Sequence, residues 1–294
     1  MVNIIMAHDL APDKIGRARS RTVVLIHGMW SRPCVWNNFH HALEERGYRV
    51  IAPALRHHDI EPDEAPNPAL ATTSLLDYAA DLEREIRLLD EKPFIIGHSM
   101  GGTLAQMLAA RDLAAGTVLL ASAHCAPVIA LNHAVLKYYF RELVTKPFWR
   151  HTQRPSWNTL RAAGLNGMNE VDARNLYATL IPESGRAAFE LILWFLDSKR
   201  ASLVDARHVN CPMLLLTGSE DMLTPPYIAQ RIAAYYGDKA RLEILRGQAH
   251  WLPREAGWRD TLERALQFIE IEAPLLQIET GAINTAPVYK PQTA

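Results

Sequence analysis

Short apolar runs alternate with amphipathic segments along most of the chain. Six runs are rich in Val, Ile and Leu and do not alternate with polar residues, which is typical of parallel strands buried on both faces. They are Thr22–Ile26, Arg49–Ala52, Phe94–Ile96, Thr117–Ala121, Met213–Thr217 and Leu242–Leu245. Met1–Leu10 is a candidate for an additional antiparallel edge strand.

Helical periodicity fills most of the intervals between these runs. The clearest helical segments are Val35–Arg46, the segment opened by the capping pair Ser74 and Asp77, and the segment that begins at Thr224-Pro225 and ends at Gly237. Because strands and helices alternate, we predict an α/β fold with a mostly parallel sheet.

One long interval, between Ala123 and Asp205, carries no strand pattern. Its helical stretches are Ala130–Leu143, Val171–Leu180 and Arg186–Phe195. A structureless loop of this length is rare in a compact domain, so we predict a helical insertion folded over the sheet. The expected division is a core at 1–124 and 205–271, an insertion at 125–204, and a surface or disordered tail at 272–294.

Composition and charge exclude several classes of partner. The 294 residues are 49% hydrophobic with a net charge of −1 and no Lys/Arg cluster, so we expect no nucleic-acid partner. No apolar run is long enough for a membrane span, and the N-terminus lacks the pattern of a secretory signal. The three cysteines are too scattered for a disulfide framework or a metal site, which favours a cytoplasmic protein.

The segment Gly97-His98-Ser99-Met100-Gly101-Gly102 follows the third apolar run and leads into a helical pattern. A sharp turn from strand to helix exposes a serine, and the crowded backbone there requires small neighbours. A serine nucleophile also needs a base and donors for the oxyanion. We therefore predict Ser99 as a catalytic nucleophile. The alternative is a glycine-rich turn with an ordinary hydroxyl.

The expected base and acid follow the last two apolar runs. His250 lies in Gly247-Gln248-Ala249-His250-Trp251, and Asp221 lies in Ser219-Glu220-Asp221. Catalytic groups of open α/β sheets come from loops at the carboxyl ends of strands, so these loops point toward the same edge as Ser99. We predict that His250 accepts the serine proton and that Asp221 orients its ring, with Glu220 as the alternative acid.

Two backbone N–H groups are expected to stabilise the oxyanion. The N–H of Met100 follows the nucleophile and opens a helix, where N–H groups have no helical partner. The second donor is expected from His27-Gly28-Met29-Trp30, with the N–H of Met29 preferred and that of Trp30 as the alternative. Trp30, His98 and Trp251 are candidates for the substrate pocket.

Together, these four motifs resemble those of the α/β-hydrolase fold superfamily, over roughly residues 20 to 271. The resemblance implies a mostly parallel eight-stranded sheet with a helical cap at 125–204, an acyl-serine mechanism and no cofactor. The chain departs from many capped relatives after the second run, where it reads Pro53-Ala54-Leu55-Arg56-His57-His58-Asp59 instead of Asp-x-x-Gly-x-Gly-x-Ser. Epoxide hydrolases and haloalkane dehalogenases resemble this pattern with Asp at the nucleophile position, so Ser99 disfavours both.

The residues His57, His58 and Asp59 invite a metal interpretation. Nothing else in the sequence supplies ligands at a suitable spacing, so we expect no metal and favour polar residues at the pocket entrance.

The leading functional hypothesis is hydrolysis of a small or medium carboxylic ester through an acyl-enzyme. Thioesterase, lactonase, amidase and carbon–carbon hydrolase activities use the same triad, and a hydroxynitrile lyase uses it as a base. A binding protein on an inactive scaffold is disfavoured because Ser99, Asp221 and His250 are all present. The expected partner is a small-molecule ester, and the sequence gives no oligomeric state.

Overall fold

A parallel six-stranded sheet organises the part of the protein that the computed structural model describes, residues 21–129 and 147–281. In chain order, the strands are β1 (Thr22–Ile26), β2 (Arg49–Ile51), β3 (Phe94–His98), β4 (Gly116–Leu120), β5 (Thr152–Gln153), β6 (Glu183–Ser184), β7 (Met213–Gly218) and β8 (Ala240–Leu245). All except β5 and β6 belong to this sheet, in the order β2-β1-β3-β4-β7-β8. The predicted α/β fold and its six strands are confirmed, with small shifts at the strand ends.

The strand order creates a switch point between β1 and β3. From β1 the chain crosses to β2 at one edge, whereas from β3 it proceeds through β4 and β7 to β8 at the other. The chain therefore leaves β1 and β3 toward opposite edges of the sheet. In open parallel sheets, the crevice between the loops that follow two such strands is where ligands bind.

The helices cover the sheet and join its strands. They are α1 (Asn37–Glu45), α2 (Leu75–Ile86), α3 (Met100–Ala109), α4 (Trp157–Ala163), α5 (Glu170–Ala178), α6 (Gly185–Ile192), α7 (Pro226–Tyr236) and α8 (Trp258–Gly281). The predicted capping box of α2 is present, with reciprocal bonds between Ser74 and Asp77. The most central helix is α3, all of whose residues are buried.

The residues between β4 and β7, here called the insert, contain α4, α5 and α6. The structure confirms helices near the predicted Val171–Leu180 and Arg186–Phe195, whereas Ala130–Leu143 lies outside the described residues. The insert also contains two strands that the sequence pattern does not show, β5 and β6, which pair antiparallel. Each has only two residues, too few to leave an apolar pattern in the sequence.

Buried polar contacts attach the insert to the segment before α2. The carboxylate of Glu190 accepts hydrogen bonds from the hydroxyl of Ser74 and the N–H of Leu75. The hydroxyl of Ser184 donates to the Thr73 carbonyl at 2.6 Å. These contacts fix the insert against the core near the carboxyl ends of the strands.

The described residues supply six of the eight strands that the family resemblance implied. The candidate edge strand at Met1–Leu10 lies outside the described part. At the other end, α8 continues to Gly281, beyond the expected end of the core at 271. Among the described residues, no helix is both long and apolar enough to cross a bilayer.

Candidate active site

Ser99 lies in the turn between β3 and the first residue of α3. Its φ of 55° and ψ of −118° form a backbone conformation that non-glycine residues rarely adopt, at a cost of about 1–3 kcal/mol. Hydrogen bonds hold it there: its N–H donates to the Leu120 carbonyl, and its carbonyl accepts from the N–H groups of Gly102 and Ala123. The turn leaves Ser99 partly exposed between buried neighbours.

Two close approaches of the backbone bring the loop after β1 beside this turn. A Cβ atom at Gly28 would lie 2.9 Å from the Cβ of Ser99. A Cβ at Gly101 would lie 2.7 Å from the carbonyl oxygen of His27, and closer still to that of Ile26. Both positions therefore require glycine, and the loop that begins at His27 lies directly against Ser99.

Asp221 and His250 form a buried pair at the same edge of the sheet. The Oδ2 atom of Asp221, in the loop after β7, lies 2.9 Å from Nδ1 of His250, in the loop after β8. Glu220, the alternative acid, is exposed, and its carboxylate accepts from the hydroxyl of Ser219. Of the two candidate acids, the structure places Asp221 against the imidazole.

The carboxylate of Asp221 is held by further donors. Oδ1 accepts from the N–H groups of Leu223 and Thr224, both at 2.8 Å. The hydroxyl of Thr224 lies 2.8 Å from Oδ2 and 2.9 Å from the carbonyl oxygen of Ala121. Burial opposes the charge, but the positive charge of a protonated His250 and these hydrogen bonds outweigh it and lower the pKa of Asp221.

This arrangement selects the tautomer of His250. An ionised carboxylate only accepts hydrogen bonds, so Nδ1 of His250 carries a hydrogen and donates it to Asp221. In the neutral ring, Nε2 then has a free lone pair. A histidine that acts as a general base accepts the proton at this atom.

His98 and Trp251, the candidates for the substrate pocket, are buried beside His250. They are 1% and 2% exposed, and their rings lie 5.2 Å apart. Nε2 of His98 lies 2.9 Å from the carbonyl oxygen of His250, to which it donates. Burial and the nearby charge of His250 lower the pKa of His98 to about 3, so its ring is neutral. His98, adjacent to Ser99 in the chain, thus links the nucleophile turn to the loop of His250.

Glu255 is a functional candidate that the sequence did not reveal. Its Oε2 accepts from the N–H of Ala249 at 2.7 Å, and its Oε1 accepts from the N–H of Trp251 at 2.8 Å. These two N–H groups flank His250, so one buried carboxylate fixes the backbone on both sides of the imidazole. The only feature of the sequence that could have indicated Glu255 is its position five residues after His250. This spacing alone does not indicate a chemical role.

The candidate oxyanion donors lie on both sides of Ser99. Within the described residues, the N–H groups of Met29, Trp30 and Met100 donate to no protein acceptor. Trp30 occupies a turn closed by the Ser31 N–H and the Gly28 carbonyl, and its φ is 61°. Its side chain is 7% exposed. Free N–H groups from two converging loops are the arrangement that binds a developing oxyanion.

In the part of the chain that the structure describes, His57 and His58 belong to no cluster of possible metal ligands. The described part of the chain contains no group of three or more His, Cys, Asp or Glu side chains able to hold a metal ion. His58 is fully buried and contacts Glu183 of the insert, in place of the expected position at a pocket entrance.

Solved structures of similar fold include several enzymes. A pyrethroid hydrolase from Sphingobium faniae JZ-2 is 18% identical, with a TM-score of 0.62 over 85% of this chain and 97% of its own. A methylesterase from Arabidopsis is 15% identical, with a TM-score of 0.62 over 84% and 99%. Tomato methylketone synthase I is 13% identical, with a TM-score of 0.65 over 85% and 98%. No curated protein sequence matches the chain significantly.

These identities establish similarity of fold alone. A family model described as the alpha/beta hydrolase family matches residues 23–264, which include β1, the Ser99 turn and the loops that carry Asp221 and His250. The match spans most of the chain and agrees with the sheet order and the strained serine turn. The protein belongs to the alpha/beta hydrolase family.

Proposed function

We propose that the protein is a serine hydrolase that cleaves a small or medium carboxylic ester through an acyl-enzyme on Ser99. The observation that carries this proposal is the buried Asp221–His250 pair, 2.9 Å between Oδ2 and Nδ1, on loops that converge with the strained Ser99 turn. The pair supplies a base whose Nε2 carries a lone pair, and the turn supplies the hydroxyl of the partly exposed Ser99.

The reaction follows from these groups. Nε2 of His250 takes the proton of the Ser99 hydroxyl as Oγ attacks the ester carbonyl carbon. The N–H groups of Met29 and Met100 stabilise the resulting oxyanion, and the charge of Asp221 stabilises the imidazolium. His250 then gives its proton to the departing alcohol, leaving an acyl-enzyme that water cleaves by the same steps.

Two structural neighbours support an ester substrate. One bears the name of a pyrethroid hydrolase and the other of a methylesterase, so this fold accommodates ester cleavage.

We propose that the insert is the cap over the site and that the small-molecule ester binds between it and the edge of the sheet. The free cysteines Cys34, Cys125 and Cys211 fit a protein of the reducing cytoplasm.

The test is hydrolysis of p-nitrophenyl esters from acetate to palmitate by the wild type and two serine variants. We expect Ser99→Ala to lower kcat by at least about 10⁴-fold, since a missing nucleophile cannot be replaced by the rest of the triad. Ser122→Ala is the matched control, because Ser122 is a serine just beyond the carboxyl end of the neighbouring strand β4 and its side chain is buried. It is expected to retain activity.

A fluorophosphonate probe provides a second readout. It should label the wild type and Ser122→Ala at Ser99, and it should not label Ser99→Ala. A folded wild type that neither labels nor hydrolyses any ester would overturn the proposal. Labelling without ester hydrolysis would direct the search to thioesters, lactones, carbon–carbon substrates or cyanohydrins.

A further inference from the structure

A second group of buried polar side chains lies outside the Ser99 site. It comprises His58 after β2, Tyr78 of α2 and Glu183 of β6, all with 0% exposure. Nε2 of His58 lies 3.1 Å from Oε2 of Glu183. Oε1 of Glu183 accepts from the Tyr78 hydroxyl at 2.7 Å and from the N–H of Ser184 at 2.6 Å. The contact joins the core to the insert through groups 125 residues apart in sequence.

The His58 charge and the hydrogen bonds to Glu183 outweigh burial and lower the pKa of Glu183, and opposite this ionised carboxylate His58 needs a proton on both ring nitrogens. Nδ1 lies 3.0 Å from the carbonyl oxygen of Arg56, and Nε2 faces the Glu183 carboxylate. Both oxygens only accept, so a neutral ring would leave one buried contact without a hydrogen. His58 and Glu183 therefore form a charged pair. Burial opposes the charge on His58, but the Glu183 carboxylate outweighs it and raises the pKa of His58.

The pair lies next to the loop that carries the candidate oxyanion donors. The rings of His58 and His27 have centroids 5.2 Å apart, and Nδ1 of His27 donates to the Gly28 carbonyl at 3.0 Å. On the other side of the pair, the N–H of Ile181 donates to the Trp30 carbonyl at 2.9 Å. Ile181 precedes Glu183 by two residues in the insert, so Glu183 and the Trp30 turn are held by one short segment of chain.

His58 is the member of this group that can lose a proton as the pH rises. The titratable groups facing it are Glu183 from β6, Tyr78 from α2, His27 from the loop after β1, and the adjacent Asp59. Burial and the Glu183 carboxylate raise the pKa of Tyr78 well above its usual value, so the phenol stays neutral. Burial and the charge of His58 lower the pKa of His27 to about 3, so that ring is already neutral.

We propose that the His58–Glu183 pair positions the oxyanion-hole loop by fixing the insert segment 181–183, whose Ile181 N–H binds the Trp30 carbonyl, and that loss of the His58 proton at alkaline pH releases this hold. The proposal rests on the proposed function for its effect on catalysis. Deprotonation removes the positive partner of the buried Glu183 carboxylate, and it leaves either this carboxylate or the Arg56 carbonyl opposite a lone pair of the ring. The remaining anchors at Glu190 and Ser184 keep the insert attached, so the change is local.

The decisive variant is Glu183→Gln. The amide oxygen of glutamine can accept from Tyr78 and Ser184, and its NH₂ group can donate to a neutral His58, so the contact no longer needs a charged ring. In the wild type we expect kcat for a p-nitrophenyl ester to fall reversibly by about tenfold at alkaline pH, less than the loss of a whole oxyanion donor. For Glu183→Gln, kcat at alkaline pH is divided by the kcat of the same variant at neutral pH. This ratio should show no alkaline decrease.

Hydrogen exchange gives a readout that does not depend on activity. Peptides that cover residues 27–32 and 181–184 should exchange faster in the wild type at alkaline pH than expected from the intrinsic pH dependence of exchange. They should not do so in Glu183→Gln. His58→Gln should show the faster exchange already at neutral pH, and Glu183→Gln keeps the test valid if His58→Gln does not fold.

Asp197→Asn is the matched control. It removes one of the two ion pairs that Arg186 makes with buried carboxylates of the insert, without touching the loop after β1. It should leave both the alkaline fall and the exchange of residues 27–32 as in the wild type. Identical pH profiles and identical exchange in the wild type and Glu183→Gln would overturn the proposal. If no ester is hydrolysed, the proposed function fails, whereas the exchange experiment still decides the role of the pair.

Discussion

At the scale of single residues, the same imidazole side chain has different protonation states in neighbouring buried positions. His58 faces a carboxylate and a carbonyl, and is charged. His98 faces only the His250 carbonyl, while its Nδ1 has no partner among the described residues, and it is neutral. The acceptors around each ring determine which state is stable. A buried histidine is therefore interpretable only with its partners, and these come from distant segments.

Glu255 offers a prediction at the residue scale. We expect Glu255→Gln to lower kcat about tenfold with little change in KM, because a single amide oxygen cannot accept from both N–H groups that flank His250. Measurement of kcat and KM on the best p-nitrophenyl ester, with the urea midpoint on the same sample, separates misplacement of the base from loss of stability.

The control for Glu255 is Glu263→Gln on α8, whose carboxylate is half exposed and pairs with Arg46. It should leave kcat unchanged, since surface ion pairs contribute little. A folded Glu255→Gln protein with wild-type kcat would show that the backbone of His250 holds its place without this carboxylate.

At the scale of elements, the sequence predicted what depends on local pattern. The first strand, Thr22–Ile26, was predicted with its observed bounds because it is apolar on both faces and ends abruptly at His27-Gly28. The strands β5 and β6 were not predicted, because a strand of two residues is too short to show a pattern of apolar and polar positions. The same reasoning applies to the site. Chain order and strand ends suggest Ser99, Asp221 and His250, whereas Glu255 and the His58–Glu183 pair are defined by contacts that no local pattern encodes.

The close packing of α3 against the end of β1 predicts that position 101 tolerates only glycine. A Cβ at Gly101 would overlap the carbonyl oxygens of Ile26 and His27, both fixed in the backbone. We expect Gly101→Ala to lower the free energy of unfolding by about 1–3 kcal/mol, and to reduce activity because α3 carries the Ser99 turn. Urea unfolding and ester hydrolysis measure the two effects.

Gly164→Ala, at the end of α4, is the control for this contact. Its added methyl would meet the flexible end of the Leu160 side chain first, at 3.0 Å, and the side chain can move aside. A Gly101→Ala protein as stable and active as Gly164→Ala would contradict the close approach of α3 to β1.

At the scale of the whole molecule, the sheet gathers buried histidines near the carboxyl ends of its strands. Burial lowers the pKa of His27 and of His98 to about 3, and that of His124 to about 4. The loops that follow the strands lie at this edge, on either side of the switch point between β1 and β3, and the insert adds further burial. The fold therefore keeps three rings neutral at a pH where the unfolded chain would protonate them.

The difference in histidine protonation between the folded and the unfolded state predicts that mild acidification lowers the free energy of unfolding. Below about pH 6.5, histidines of the unfolded chain take up protons, whereas His27, His98 and His124 stay neutral in the folded state. Because the unfolded state then binds more protons, stability falls as pH falls, by up to about 1.4 kcal/mol per pH unit for each ring. We expect the free energy of unfolding in urea to decline steeply between about pH 6.5 and 4.5, above the range where ordinary carboxyl groups titrate.

His124→Leu isolates one of the three contributions. His124 makes no side-chain hydrogen bond in the described part of the structure and is 8% exposed, so leucine replaces it without leaving a polar partner unpaired. The slope of stability against pH should become shallower by up to about 1.4 kcal/mol per pH unit, the effect of one proton. His41→Gln is the control, since a side chain that is 78% exposed stays solvated on folding, and it should leave the slope unchanged. Equal slopes in the wild type and His124→Leu would mean that the His124 ring takes up its proton without unfolding, and that the loops at this edge open to admit water.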